Sequence, residues 1–288
     1  MARDNELKCG YIAILGATNA GKSTLLNAIT GTHAAIVSHK VQTTRFAIRG
    51  VKNAGTAQLV FIDTPGIFDA KTGFDRRMVS EAWGVMDSAD AVLYLADAAK
   101  GMTPTFARIA GKLKTLDKPT ALALNKVDLV KKTDLLALAK AMTEGFGHAF
   151  DQVFMISSLK GDGLGKLIEW AASHAPARPW EFPRDATIDL SPEVQFAEFT
   201  REQVYRLLHK ELPYIIRVET DSISGEGRLL LVRQTIYTSA AKTKGIILGA
   251  KGSKIKEIGA AARKSIERAT GRRLHLSLEV AVDKNWRN

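Results

Sequence analysis

The chain has 288 residues, 45% of them hydrophobic and 25% charged, a composition that fits one or two packed domains and not a disordered polymer. No apolar run approaches the roughly 18–20 residues of a membrane span, and the opening MARDNELKCG lacks the apolar stretch of a secretory signal, so a cytoplasmic protein is expected. A single cysteine, Cys9, cannot form an internal disulfide, the six histidines show no zinc-site spacing, and a net charge of +11 makes a polyanionic partner plausible.

The strand YIAIL (11–15) opens an alternation of short apolar runs and amphipathic stretches, the pattern of parallel strands joined by crossover helices. Directly after it, Gly16-Ala17-Thr18-Asn19-Ala20-Gly21-Lys22-Ser23 satisfies G-x-x-x-x-G-K-[ST] ahead of a helix expected at 22–30. Such a loop presents backbone N–H groups, a helix N-terminus and one lysine to a polyphosphate. Gly16, Ala20, Gly21 and Thr24 are therefore expected around the phosphates, with Lys22 reaching the β- and γ-phosphates and the Ser23 hydroxyl on Mg²⁺. Asn19 has two readings: a side-chain carbonyl that holds a monovalent cation against the phosphates, or a hydrogen bond that braces the loop.

Residues 31–45 are polar, and Thr43-Thr44-Arg45 can put a hydroxyl on the metal only while the third phosphate is present. A short strand at 46–51 should pair antiparallel with QLVFI (58–62) through Asn53, Ala54 and Gly55. Asp63-Thr64-Pro65-Gly66 then places an acid where it can meet magnesium through water, and a glycine N–H near the γ-phosphate. The next residue is Ile67, where many P-loop nucleotide hydrolases of this construction carry a water-orienting glutamine; isoleucine can neither donate nor accept, so the attacking water must be positioned by backbone groups or by a switch-loop side chain, and slow intrinsic hydrolysis is expected.

A helix at 74–88, strand 91–96, a helix at 104–116 and strand 120–125 lead to Asn125-Lys126-Val127-Asp128. An Asp128 carboxylate can accept both the N1–H and the 2-amino group of guanine, donors that adenine does not offer on that edge. Lys126 can lie over the ring and Asn125 can tie this turn to the phosphate loop. After a helix at 133–145 and strand 152–157, backbone N–H groups of Ser157 and Ser158 are expected to hold guanine O6, before a helix at 163–173.

Prolines at 176, 179 and 183 mark a connector, giving a nucleotide-binding domain at 1–175, a linker at 176–190 and a second domain at 191–288. The second domain reads α-β-β-α-α-β: helix 192–210 with Val194, Val204, Leu207 and Leu208 on one face, strands 214–222 and 228–238, a short helix from 241, helix 253–270 and strand 273–282. Residues 242–273 hold ten basic and two acidic side chains, either a solvated helix face or a polyanion contact. Within them lies Gly249-Ala250-Lys251-Gly252, a G-x-x-G turn whose glycines let a nucleic-acid backbone approach while Lys251, Lys254 and Lys256 neutralise phosphates, the signature of a KH domain. The stripe Ile255, Ile258, Ala262, Ile266 is assigned to core.

Taken together the chain resembles the Era family of bacterial ribosome-assembly GTPases from end to end, through Gly16 to Ser23, Gln42-Thr43-Thr44-Arg45, Asp63 to Gly66, Asn125 to Asp128 and Leu212-Pro213-Tyr214. The resemblance implies an α/β P-loop G domain with a mostly parallel six-stranded sheet, followed by an α+β type II KH domain. It implies GTP and GDP binding, hydrolysis by Asn19, Lys22, Thr44 and Gly66, Mg²⁺ on Ser23, Thr44 and Asp63, and K⁺ on Asn19. It further implies a monomer that binds the 3′ end of 16S ribosomal RNA during 30S subunit assembly, with peripheral association to the inner membrane. Thr18 departs from the usual proline, and Ser158-Leu159-Lys160 from the commoner Ser-Ala-Glu or Ser-Ala-Lys. The rival reading is an RNA-binding assembly factor whose nucleotide site is regulatory and rarely turns over.

Overall fold

A computed structural model describes residues 7–32, 35–36, 47–68, 73–146, 149–208 and 216–283. Its contacts separate two units between Asp189 and Leu190. The first is a six-stranded sheet in the order β2-β3-β1-β4-β5-β6, built from β1 (Lys8–Gly16), β2 (Ile48–Ala54), β3 (Ala57–Asp63), β4 (Ala91–Asp97), β5 (Thr120–Asn125) and β6 (Gln152–Met155). All pairs are parallel except β2 with β3. Every residue of β3 and β5 is buried, as a sheet covered on both faces demands. Helices α2 (Gly73–Ser88), α3 (Pro104–Leu113) and α4 (Lys132–Glu144) close one core, in which Ala82, Phe106, Ile109 and Leu135 pack with Tyr94 and Leu122. Helices α1 (Lys22–Thr30) and α5 (Leu164–Ser173) pack against β1, β2 and β3.

The β2–β3 hairpin is longer than the sequence suggests. Asn53 pairs with Gln58 and Ala54 with Ala57, so the turn is Gly55-Thr56, with Gly55 at φ 62. Conversely, β6 stops at Met155 and α3 at Leu113.

The stretch expected as a linker is bonded along the first unit. Val51 N–H donates to Thr187 O and Asp189 N–H to Arg49 O, each at 3.0 Å, an antiparallel bridge on the outer side of β2. Gln58 reaches the same stretch with both ends of its amide: Oε1 accepts from the N–H groups of Glu181 and Phe182, and Nε2 donates to Phe182 O as well as to Asn53 Oδ1. Trp180 Nε1 donates to Thr56 O, and Arg178 Nε to Cys9 O.

The second unit is a three-stranded sheet, β7 (Ile216–Ser224) antiparallel to β8 (Leu229–Thr238) and β9 (Arg273–Val282) parallel to β8. With α6 (Pro192–Leu207), α7 (Ala241–Leu248) and α8 (Ser253–Thr270) the order is α-β-β-α-α-β. Ile258, Ala262 and Ile266 of α8 are fully buried, and Ile255 is partly buried at the edge of the same core. Of the face expected in α6, Val204 and Leu208 are buried and Leu207 packs against the same core, whereas Val194 is exposed; Phe196 and Phe199, outside that face, fill a second core beside Leu230, Val232 and Leu274. The same helix buries a Glu198–Arg201 ion pair. Among the described residues, no helix is long and apolar enough to cross a membrane.

Candidate nucleotide and nucleic-acid sites

The end of β1 turns into α1 through residues 16–21 because glycine stands at the two positions where a side chain cannot. A Cβ on Gly16 would lie 2.5 Å from Leu95 O, and one on Gly21, which caps α1 at φ 101, would lie 2.3 Å from Asn125 Nδ2. Lys22 is buried in the first turn of α1, its Nζ donating to Gly16 O at 3.2 Å and Ala17 O at 3.1 Å. Burial holds its pKa below the ordinary lysine value, and the nearby Asp63 carboxylate acts in the opposite direction. An anionic ligand beside it would add to the Asp63 effect. Thr24 follows in the same turn, half-buried.

Asp63 ends β3 fully buried, and Ser23 Oγ donates to its Oδ2 at 2.7 Å. An alcohol and a carboxylate converging there form a hard, oxygen-only donor set, which fits Mg²⁺. Thr64 Oγ1 anchors the following turn on Ile14 O, and Ile67 N–H donates to Gly16 O, so the Asp63–Gly66 turn is pinned to the phosphate loop. A Cβ on Gly66 would meet Thr18 Cγ2 at 2.7 Å and Thr18 Cα at 3.0 Å. Ile67 is buried in the core with Leu15, Met86 and Tyr94, so it occupies packing space instead of the site. Thr44, with the rest of Gln42 to Arg45, and Leu212-Pro213-Tyr214 lie outside the described residues.

Asn125, at the end of β5, joins three segments. Its Nδ2 donates to Ala20 O at 2.8 Å, and its Oδ1 accepts from both the N–H and the Oγ of Ser158 at 2.9 Å. Lys126 sits at φ 64 and sends Nζ back to Asn19 O at 2.8 Å and Asp97 Oδ2 at 2.7 Å. Ser157 Oγ donates to Asp128 Oδ1 at 2.6 Å, and this bond, ahead of Lys160 and Lys126, holds the Asp128 carboxyl below its ordinary range. The backbone N–H groups of the two serines donate within the chain, Ser157 N–H to Asp162 O at 3.1 Å and Ser158 N–H to Asn125 Oδ1 at 2.9 Å. The two serines brace the base-reading residues by their side chains.

In the second unit the G-x-x-G loop joins α7 to α8 by one tight turn. Gly249 has φ 71, and a Cβ there would strike Lys254 Cβ at 2.7 Å and Lys254 N at 2.8 Å. That glycine is therefore required by the loop itself. Gly252, at φ 76, has open space around it. Ala250 and Lys251 are exposed, Lys251 at φ 51; Lys256 is exposed, and Lys254 pairs with Glu257 at 2.7 Å.

Among the described residues, positive φ outside glycine occurs at Asn19, Lys126 and Lys251. One lies in the phosphate loop, one in the base-reading turn and one in the G-x-x-G loop. Backbone strain of this kind, on the order of 1–3 kcal/mol each and less for asparagine, gathers at functional sites.

Two family profiles match the chain: one described as 50S ribosome-binding GTPase over residues 11–126, and one described as KH domain over residues 211–287. The chain is 44% identical to the GTPase Era of Mesorhizobium japonicum over 96% of its own length and 89% of that protein, and 41% identical to that of Maricaulis maris over 98% and 94%. Among solved structures it is similar to Era in complex with MgGDPNP and nucleotides 1506–1542 of 16S ribosomal RNA, with a TM-score of 0.91 and 35% identity over 98% of this chain and 95% of that one. It is equally similar to a variant of Aquifex aeolicus Era bound to GDP·AlF₄⁻, with a TM-score of 0.92 and 35% identity over 98% and 96%. The chain belongs to the Era family: it is a GTPase whose G domain is followed by a KH domain.

Proposed function

We propose that this GTPase binds the 3′ end of 16S ribosomal RNA through its second unit and couples GTP binding and hydrolysis to assembly of the 30S subunit. The observation that carries the reading is the set of left-handed residues Asn19, Lys126 and Lys251, which puts a strained backbone position in each of the phosphate, base and G-x-x-G motifs of one chain. The partner is supported by the relative solved with nucleotides 1506–1542 of 16S ribosomal RNA.

In this reading Lys22 neutralises the β- and γ-phosphates, and the N–H groups around Gly16, Ala20 and Gly21 cradle them, with Thr24 alongside. Ser23 and Asp63, with Thr44, would hold Mg²⁺, which would supply positive charge to the developing negative charge on the phosphates. Gly66 N–H faces the γ-phosphate. Asp128 selects guanine, Lys126 covers the ring, and Ser157, Ser158 and Asn125 keep that turn on the phosphate loop. With Ile67 in the core, the attacking water is oriented by backbone groups or by a switch-loop side chain, and Asn19 would hold a K⁺ ion whose positive charge would lie beside the phosphates. Lys251, Lys254 and Lys256 take RNA phosphates beside the open Gly252, and Gly249 and Ala250 shape the turn. The protein works as a monomer in the cytoplasm, and its excess of basic residues suits peripheral contact with an anionic inner-membrane surface. Multiple-turnover phosphate release with purified 30S subunits tests the coupling: stimulation is expected. RNA binding without stimulated release would favour an assembly factor with a regulatory nucleotide site.

A further inference from the structure

The Lys126 ammonium is held by a second residue that no motif contains. Asp97 is the last residue of β4, in register with Asn125 at the end of β5, and Ala98 N–H donates to Asn125 O at 2.8 Å. This pairing sets the Asp97 side chain beside the residue that follows Asn125. Its carboxylate is nearly buried, with a side-chain exposure of 9%, and its two oxygens are used separately: Oδ1 accepts from Ala99 N–H at 3.1 Å, and Oδ2 from Lys126 Nζ at 2.7 Å. The same ammonium donates to Asn19 O at 2.8 Å. A carboxylate fixed by its own backbone thus anchors a flexible lysine at its charged end, and that end clamps the phosphate loop.

We propose that Asp97 is a positioning residue for guanine-nucleotide affinity, acting through Lys126 by holding its four-carbon stem over the base and its ammonium on the phosphate loop. The assignment rests on the reading that Lys126 covers the guanine ring. Without the carboxylate, a flexible lysine with many accessible rotamers must be ordered at each binding event. Asp97 lies on the base side of the site, so GDP and GTP should weaken alike. Asp128 alone reads the 2-amino group, so the choice between GTP and inosine triphosphate, which lacks that group, should not change.

The test is a double-variant cycle with Asp97→Asn, which is isosteric, and Lys126→Ala, read by titration of fluorescent GDP, GTP and inosine triphosphate into the full chain at fixed salt. Asp97→Asn is expected to raise the GDP and GTP dissociation constants by about tenfold each, as loss of one charge-assisted contact would. The GTP-to-ITP ratio and the kcat at saturating GTP should stay near the unmodified values. On the Lys126→Ala background the Asp97 effect should vanish. Unchanged GDP affinity in Asp97→Asn while Lys126→Ala weakens binding would overturn the role of Asp97 alone, and unchanged affinity in Lys126→Ala would overturn the base-covering reading beneath it. Persistence of the full Asp97 effect without Lys126, or a shifted GTP-to-ITP ratio, would assign Asp97 to a different task. The melting temperature of each nucleotide-free variant, expected within a few degrees of the parent, separates lost affinity from lost fold.

Discussion

Ser157 and Asp128 share a hydrogen bond of 2.6 Å, with the hydroxyl donating to the carboxylate proposed to select guanine. The bond favours the ionised acid, and the Asp128 pKa lies below the ordinary 3.8. An affinity that depends on this charge is present above that pKa and lost as pH falls through it. GDP binding should therefore stay flat from neutral pH down to the ordinary carboxylate range, and Ser157→Ala should move the onset of loss to higher pH. Titrations across pH, with circular dichroism as the fold check, measure it; an onset unmoved by the substitution would detach Ser157 from the base site. Asp128→Asn, which presents a donor and an acceptor in place of two acceptors, should weaken GTP and gain xanthosine triphosphate, read by competition between the two.

Asn19 in the left-handed region has a local reason to be asparagine, since that residue type tolerates positive φ. Cation dependence separates this from an ion-holding role. Turnover should be faster in KCl than in NaCl, and Asn19→Ala should flatten the difference while GTP binding largely survives. Equal rates in both salts for the unmodified protein would leave only the backbone role.

Ile67 shows how a motif's neighbour can be misleading. Restoring a glutamine there should not speed hydrolysis, because the side chain points into the core against Leu15 and Tyr94. Burying an amide in that space should instead destabilise the fold by about 1–3 kcal/mol. Thermal melts and single-turnover rates check both halves; faster hydrolysis in Ile67→Gln would show that this turn swings outward during catalysis.

The two glycines of the G-x-x-G loop should behave differently. Gly249→Ala forces a Cβ onto Lys254 at a positive φ and should lower the melting temperature of the second unit. Gly252→Asp, in open space, should cost less stability and reduce RNA affinity through charge. Lys251→Ala with Lys256→Ala should leave the melt unchanged, weaken RNA binding and reduce its salt slope by about one or two. Filter binding over a salt series measures this.

The sequence made the site legible where its chemistry is local. Gly16 to Ser23 and Asn125 to Asp128 each sit at a strand end, and the period of the flanking runs locates those ends. The sheet was legible for the same reason, because β3 and β5 each carry an unbroken apolar run, at 59–62 and 121–124. Partnerships made across the fold were not. In sequence Asp97 reads only as the acid that stops β4, and its pairing with Lys126 depends on the register of β4 with β5. The amide allocation at Ser157 and Ser158 depends on Asp162 and Asn125 in the same way. In α6 the buried Glu198–Arg201 pair was not legible either, because two charged residues read as solvent-facing until each is seen to neutralise the other.

The proline-spaced stretch between the units bears on how the first unit can be handled alone. Hydrogen bonds from Thr187 and Asp189 occupy the outer rim of β2, and Gln58 holds the chain there from within β3. A fragment cut at 175 would leave β2 as a bare edge, with unsatisfied backbone groups ready to recruit a strand from another molecule. A fragment carried to Asp189 would keep its own guard against self-association.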